Sequence, residues 1–222
     1  MRKHVRVVLN SPMMSYVSFI RRDTGVPIKK LKTFIGYQAR NLLISVNDEY
    51  VYKFPLRRNN SDELTIREER IVKSLSAVSP ISIPTVAVFE YNGVLVRRYP
   101  FVSGVRLRQM PIDVAMNNID VLAPQIAKFI YDISIADPDE IRDLKPVQNA
   151  TPGYMCGWFH GDIGDNFFVD MNTMKIIAFI DWEDCYFGDF SHVFSFDKRS
   201  PNRELMHAVK REYDKLYYGN KK

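Results

Sequence analysis

The change in sequence pattern near residue 104 constrains the fold of this chain more than any other feature. Five short runs rich in β-branched and aromatic residues precede it, at Leu31–Ile35, Asn41–Val46, 50–54, 85–91 and 94–99. Such runs are typical of β-strands, and Pro55 ends the third. The last two flank Asn92-Gly93, a dipeptide that favours a tight hairpin turn. The first hundred residues therefore predict a sheet, accompanied by one helix over 63–76 that Ser61 or Asp62 could cap.

Helical periodicity dominates the rest of the chain. Ile119–Ile135 carries apolar residues three and four positions apart and continues past Pro124. A last helix is predicted over 202–218, with Pro201 at its entrance. Between these helices, the runs 158–169 and 175–182 predict a second hairpin. This order predicts an α+β fold with a strand-rich lobe over 1–98 and a mainly helical lobe over 99–222.

Composition excludes several classes of protein. Hydrophobic residues make up 46 % of the chain, which is ample for a core and argues against disorder. Two cysteines and four scattered histidines do not provide a disulfide framework or a zinc site. No apolar run approaches the roughly 18 residues that a membrane span needs, and the apolar run at 7–9 is too short for a signal peptide. We therefore expect no membrane span and a cytoplasmic protein, or one delivered into a host cell if it is an effector.

The formal charge of +5 comes from basic residues concentrated towards the two ends of the chain. Such a surface suits an anionic substrate or partner, although a simply solvated basic surface is the commoner explanation. No nucleic-acid-binding module is recognisable, so no nucleic-acid partner is expected.

Two segments place acids between an apolar strand and a turn. The first runs Phe-His-Gly-Asp-Ile-Gly-Asp-Asn over 159–166, and the second runs Ile-Asp-Trp-Glu-Asp over 180–184. A carboxylate in such a place can face a cleft while its strand is anchored in the core. Phosphoryl transfer from ATP needs one carboxylate to accept the proton of the nucleophile and oxygen ligands to hold Mg²⁺ against the phosphates.

These two segments resemble the signature of the aminoglycoside phosphotransferase and choline kinase-like superfamily, relatives of the protein kinases. The resemblance implies a bilobal protein kinase-like fold, with Asp162 as catalytic base and with Asn166 and Asp181 as ligands of Mg²⁺. It also implies that His160 braces the catalytic loop and that Asp189 braces the C-terminal lobe.

The N-terminal part is similar to the nucleotide-binding hairpin of the same superfamily, and especially to that of the aminoglycoside 2″-phosphotransferases. The resemblance implies that Gly36 lies in the nucleotide loop and that Lys53 pairs with the phosphates of the nucleotide, which is ATP, with GTP as the alternative. It also implies that Glu68, with Glu69 as the alternative, steadies this lysine. Residues 94–104 fit the hinge that carries the adenine site, where the expected nucleotide contacts are Arg98, Tyr99 and Phe101. The similarity extends over about residues 33–193.

Two departures from the family pattern affect these assignments. Asn166 lies four residues after Asp162 instead of the usual five, so the loop is one residue shorter or Asp165 shares the metal-binding role. Only about forty residues follow Asp181, which predicts a reduced C-terminal region and an open acceptor site.

Three functions remain compatible with the sequence. The chain could phosphorylate a hydroxyl group of a small molecule, or a Ser or Thr of a protein substrate, or it could be a nucleotide-binding pseudokinase that acts as an interaction module. The segment after residue 200 is rich in Lys and Arg, whereas a polycationic aminoglycoside needs carboxylates around it. We therefore expect poor activity on aminoglycosides.

Overall fold

The first half of the chain forms one antiparallel sheet. The computed structural model describes residues 11–57, 61–145, 156–163, 166–189 and 203–219. The five strands lie in the spatial order β1, β2, β3, β5, β4. Their bounds are β1 Leu31–Ile35, β2 Asn41–Val46, β3 Tyr50–Pro55, β4 Ala87–Tyr91 and β5 Val94–Pro100. Each run that predicted a strand in this half therefore forms one, although β4 begins two residues later than the predicted run.

A helix covers each face of this sheet. Helix α1, Ser11–Thr24, which the sequence analysis did not predict, packs Phe19 and Ile20 against Tyr52 and Phe54 of β3. Helix α2, Ser61–Leu75, lies near β5 and buries Ile71, Val72 and Leu75 in a second, larger core. Because side chains alternate along a strand, Tyr52 of β3 and Val96 of β5 enter the smaller core with α1, while Lys53 and Arg97 are directed to the opposite face.

The second half is mainly helical and builds the larger core. Helix α4, Ile119–Ile135, runs through Pro124 as predicted and packs against α5, Arg203–Gly219, while the short helix α3 covers Ile112–Asn117. None of the helices in the described ranges combines the length and the apolar character that a bilayer crossing demands.

Two small antiparallel sheets lie beside α4. One contains β6 Val105–Arg106, β8 Phe167–Asp170 and β9 Lys175–Phe179, and the other pairs β7 Cys156–Phe159 with β10 Tyr186–Asp189. The predicted hairpin is thus confirmed for β8 and β9. The predicted run 158–169 is wrong as a single strand, since the chain leaves β7 at His160 and enters a different sheet at Phe167.

The α+β fold class, with a strand-rich N-terminal part and a mainly helical C-terminal part, is confirmed. Strand β5 ends at Pro100, and the chain then crosses from the large sheet to β6. This crossover, the contacts of α2 with the second half and the ion pairs of Lys53 and Arg97 position the first half against the acid-bearing turns of the second.

Candidate active site

Lys53 of β3 connects the two halves of the chain. Its side chain is buried, and its Nζ lies 2.7 Å from Oδ1 of Asp181 and 2.8 Å from Oε2 of Glu183. Burial alone would lower the pKa of Lys53, but Asp181 and the neighbouring carboxylates outweigh it and raise the pKa. The lysine therefore stays charged, as a residue that binds phosphate groups must be.

Asp181 lies immediately beyond β9 in a left-handed conformation, with φ of 70° and ψ of 60°. This conformation is uncommon for a residue with a side chain, and it turns the carboxylate out of the strand direction. The side chain of Asp181 is 41 % exposed although Lys53 contacts it. Burial would raise the pKa of this carboxyl, but Lys53 holds it below its usual range, so Asp181 is ionised.

The turn between β7 and β8 carries the second acid. His160 is buried, accepts a hydrogen bond at Nδ1 from the Asp162 N–H at 3.2 Å, and hydrogen-bonds through Nε2 to the carbonyl of Ile180 at 2.9 Å. Gly161 has φ of +86°, and a Cβ there would lie 2.4 Å from the Asp184 carbonyl oxygen, so only glycine fits. His160 thereby joins the turn that carries Asp162 to the end of β9.

Asn166 lies beside Asp162, and its backbone contacts Ile180, the residue before Asp181. Its Nδ2 donates to Oδ2 of Asp162 at 3.0 Å, and its carbonyl accepts a hydrogen bond from the N–H of Ile180 at 3.1 Å. Its Oδ1 accepts a hydrogen bond from Arg106 of β6. Asp165, the alternative metal ligand, lies outside the described residues, as does Gly164. The side chain of Asp189 also lies outside them.

Glu68 lies near Lys53, and its charge contributes to raising the pKa of that lysine. Among the described residues, the carboxylate of Glu68 is paired with Arg97, accepts a hydrogen bond from the Tyr99 hydroxyl at 3.0 Å, and accepts one from the Trp182 N–H at 3.2 Å. The direct glutamate partner of Lys53 is Glu183. Arg97 is directly opposite Lys53 in the β3–β5 register and contacts Glu68. Glu68 therefore acts on Lys53 through its charge, while Glu183 makes the direct contact.

The predicted nucleotide contacts separate into two groups. Gly36 begins the turn between β1 and β2, where its N–H donates to the Asn41 carbonyl at 2.8 Å, and Phe101 follows β5, where its N–H donates to the Glu49 carbonyl. Tyr99 and Lys53 belong to the same face of the sheet.

Arg98 is on the opposite face. It pairs with Asp23 of α1 at 2.7 Å and lies over the rings of Tyr50 and Phe89. The side chain of Arg98 is therefore not among those that the structure brings to Lys53, because alternation along β5 directs it to α1.

The sequence analysis missed three residues of this site, namely Arg97, Arg106 and Glu183. Two of them are basic residues in strands, where one sequence does not distinguish a buried cation from a surface one. The position of Glu183, two residues after Asp181, was a signal that could have identified it.

The oxygen atoms of the site suit Mg²⁺ only in part. Asp181 and Asn166 offer a carboxylate and an amide, which are the hard oxygen ligands that Mg²⁺ prefers. No group of three His, Cys, Asp or Glu side chains that could hold a metal alone occurs within the described ranges. Since Mg²⁺ usually binds one or two protein ligands together with phosphates and water, this pair fits an ion that arrives with a nucleotide.

Several solved structures resemble the fold of this chain, whereas no family model and no curated protein sequence matches it. The GDP complex of wild-type aminoglycoside 2'-phosphotransferase-IIIa is 20 % identical over 90 % of this chain and 82 % of its own, with a TM-score of 0.74. The streptomycin–ATP ternary complex of APH(2")-IIa is 16 % identical over 94 % and 85 %, with a TM-score of 0.65. Macrolide 2'-phosphotransferase type I is 17 % identical over 94 % and 83 %, with a TM-score of 0.63. The chain therefore has the bilobal kinase-like fold of the aminoglycoside phosphotransferase-like proteins.

Proposed function

We propose that this protein transfers the γ-phosphoryl group of a nucleoside triphosphate to a hydroxyl group of an acceptor. The contact between Lys53 and Asp181 carries the proposal. These residues are 128 positions apart, and their side chains meet at 2.7 Å where the sheet faces the acid-bearing turns. A buried lysine and an ionised, partly exposed aspartate at one cleft are what a triphosphate and its cation require.

Each residue has a distinct role in this reaction. Asp162, which is exposed, accepts the proton of the acceptor hydroxyl. The oxygen of that hydroxyl bonds to the γ-phosphorus, and the bond between this phosphorus and the leaving nucleoside diphosphate breaks. Lys53 exchanges its contact with Asp181 for oxygens of the α- and β-phosphates and keeps its contact with Glu183. Asp181 and Asn166 would hold Mg²⁺, which would neutralise charge on the phosphates. Gly36, Tyr99 and Phe101 would contact the nucleotide, which could be ATP or GTP.

A small molecule is the acceptor that we propose. Support comes from the similar structures, whose names specify aminoglycosides and macrolides as substrates. An aminoglycoside fits this chain poorly, because two acids of α5, Glu212 and Asp214, are already paired with Lys215 and Lys210. A neutral or anionic hydroxyl compound suits the basic helix better.

Transfer of labelled phosphate tests the function and the acceptor together. The protein is incubated with γ-³²P-ATP or γ-³²P-GTP, with and without cell lysate, and the label is separated into small molecules and protein bands. Label in the small-molecule fraction supports the proposed acceptor, whereas label on protein bands replaces it with a protein Ser or Thr. No labelled product with either nucleotide contradicts phosphotransfer.

Variants distinguish the roles of the site residues. Asp162→Ala is expected to lower transfer by about 10²- to 10⁴-fold, the usual contribution of a general base, while the Kd for Mg²⁺–nucleotide changes less than about twofold. Lys53→Ala is expected to weaken nucleotide binding. Lys73→Ala, on the exposed side of α2, is the matched control and should change neither quantity. Normal transfer by Asp162→Ala would contradict its assignment as the base.

One observation favours a second candidate, a nucleotide-binding module without transfer. Arg106 donates to Oδ1 of Asn166, the oxygen that would have to ligate Mg²⁺. Nucleotide binding by the wild-type protein that is independent of Mg²⁺, together with no labelled product, would support this candidate.

A further inference from the structure

Five charged side chains form one continuous chain of contacts across the candidate active site. Asp181 and Glu183 both accept hydrogen bonds from Lys53, and the same Oε2 of Glu183 lies 3.0 Å from Arg97. Arg97 in turn pairs with Glu68 through the same nitrogen, NH1. Negative and positive groups therefore alternate from the end of β9 to the middle of α2.

Arg97 is the buried centre of this chain. It is 2 % exposed, and Glu68 is fully buried. Burial alone would lower the pKa of Arg97, but Tyr99, Glu68 and Glu183 outweigh it and raise the pKa further above its ordinary value. A guanidinium at this place is permanently charged, and its fork of donors can serve two carboxylates at once.

Removal of Arg97 would leave Glu68 and Glu183 facing each other without a cation between them. Two carboxylates inside a protein that lose the cation they share repel each other strongly, so one of them would be protonated or would move away. Glu183 is the one able to move, since it is partly exposed and belongs to a short 3₁₀ turn, Trp182–Asp184. Its displacement would remove one of the two carboxylates that hold Lys53.

We propose that Arg97 is a positioning residue for Lys53. It fixes the carboxylate of Glu183, and that carboxylate aims the lysine at the phosphate site. Helix α2 supports the same turn from the other side, because Arg67 donates to the carbonyl oxygens of Glu183 and Cys185. The inference deepens the proposed function and rests on it, because the orientation of Lys53 matters only if a phosphate group of the nucleotide binds to it.

The test is a double-mutant cycle between Arg97 and Glu183, measured by calorimetric binding of Mg²⁺ with a non-hydrolysable ATP analogue. Arg97→Met and Glu183→Gln are each expected to raise the Kd about tenfold, within the range of coupling between contacting charged groups. The double variant should be no more than about twofold weaker than either single variant. Arg97→Lys should recover part of the affinity, since one ammonium group keeps the charge but cannot span both glutamates.

A control separates positioning from stability. Ile71→Val shortens a fully buried side chain of α2 that is outside the charge chain, so it should lower the Tm and leave the Kd unchanged. The inference is overturned by a wild-type Kd in Arg97→Met, or by a wild-type Kd in both Arg97→Lys and Glu183→Gln. It is also overturned if the effects of the two single variants multiply in the double variant. A wild-type protein that binds no nucleotide would instead overturn the proposed function, and the inference with it.

Discussion

Protonation of His160 should destabilise this protein in mild acid. The ring is buried, stacks on Phe179 with centroids 4.0 Å apart, and uses both nitrogens in hydrogen bonds to the backbone, at Asp162 and Ile180. Burial lowers the pKa of His160 from 6.5 to about 4, although the charge of Asp181 acts in the opposite direction. The neutral ring accepts a hydrogen bond at Nδ1, and the protonated ring cannot.

The size of the effect follows from the difference between the two pKa values. The folded protein holds His160 neutral down to about pH 4, whereas the unfolded chain protonates it near 6.5, so the unfolded state binds more protons between these values. Stability from this group is complete above pH 6.5 and falls as the pH decreases towards 4. At 1.36 kcal/mol per unit the full loss is roughly 3 kcal/mol, of which about 2 kcal/mol is lost between pH 7.5 and 5.

Urea unfolding at pH 7.5, 6.5, 5.5 and 5 measures this loss. His160→Gln lowers the free energy of unfolding at pH 7.5, but it should lose about 2 kcal/mol less than the wild-type protein between pH 7.5 and 5. His207→Gln is the control, because His207 is exposed on α5, and it should keep the wild-type acid dependence. Equal acid losses in His160→Gln and the wild-type protein would refute the argument.

Two further predictions concern packing and thiol chemistry. Gly157→Ala would place a Cβ 2.1 Å from the Ser134 carbonyl oxygen, and we expect a loss of about 3 kcal/mol in urea unfolding, whereas Gly219→Ala has open space around it and should be neutral. Burial raises the pKa of the Cys185 thiol to about 12, so at pH 8 a thiol reagent should label at most Cys156 in the native protein and both cysteines after denaturation. Equal stability of the two glycine variants, or fast native labelling of two thiols, would contradict these expectations.

Local patterns carried most of the fold. The strand-like runs of the first half, the Asn92-Gly93 turn and the periodicity of α4 are each visible within about seventeen residues, and all form the expected elements. The two acid-bearing segments likewise identified the turns where Asp162 and Asp181 lie. Helix α1 was not predicted, because its apolar residues are buried by the aromatic face of β3, which is distant in the sequence.

The partner of the lysine could not be predicted from the sequence, for a physical reason. Arg97 and Arg98 are adjacent and chemically identical, and the β3–β5 register alone decides that Arg97 is opposite Lys53 and Arg98 opposite Tyr52. A shift of the register by one residue would exchange the two arginines. Arg98 would then lie on the face of Lys53, and Arg97 would face α1.

The pairing of Glu68 is a consequence of that register. The resemblance assigned Glu68 to Lys53 because both residues occur in the expected order, but order along the chain does not report which other cation is buried between them. Here Arg97 supplies that cation, and Glu183 contacts the lysine together with Asp181. A lysine–glutamate pair assigned from sequence should therefore be accepted only after the residue opposite the lysine in the neighbouring strand is known.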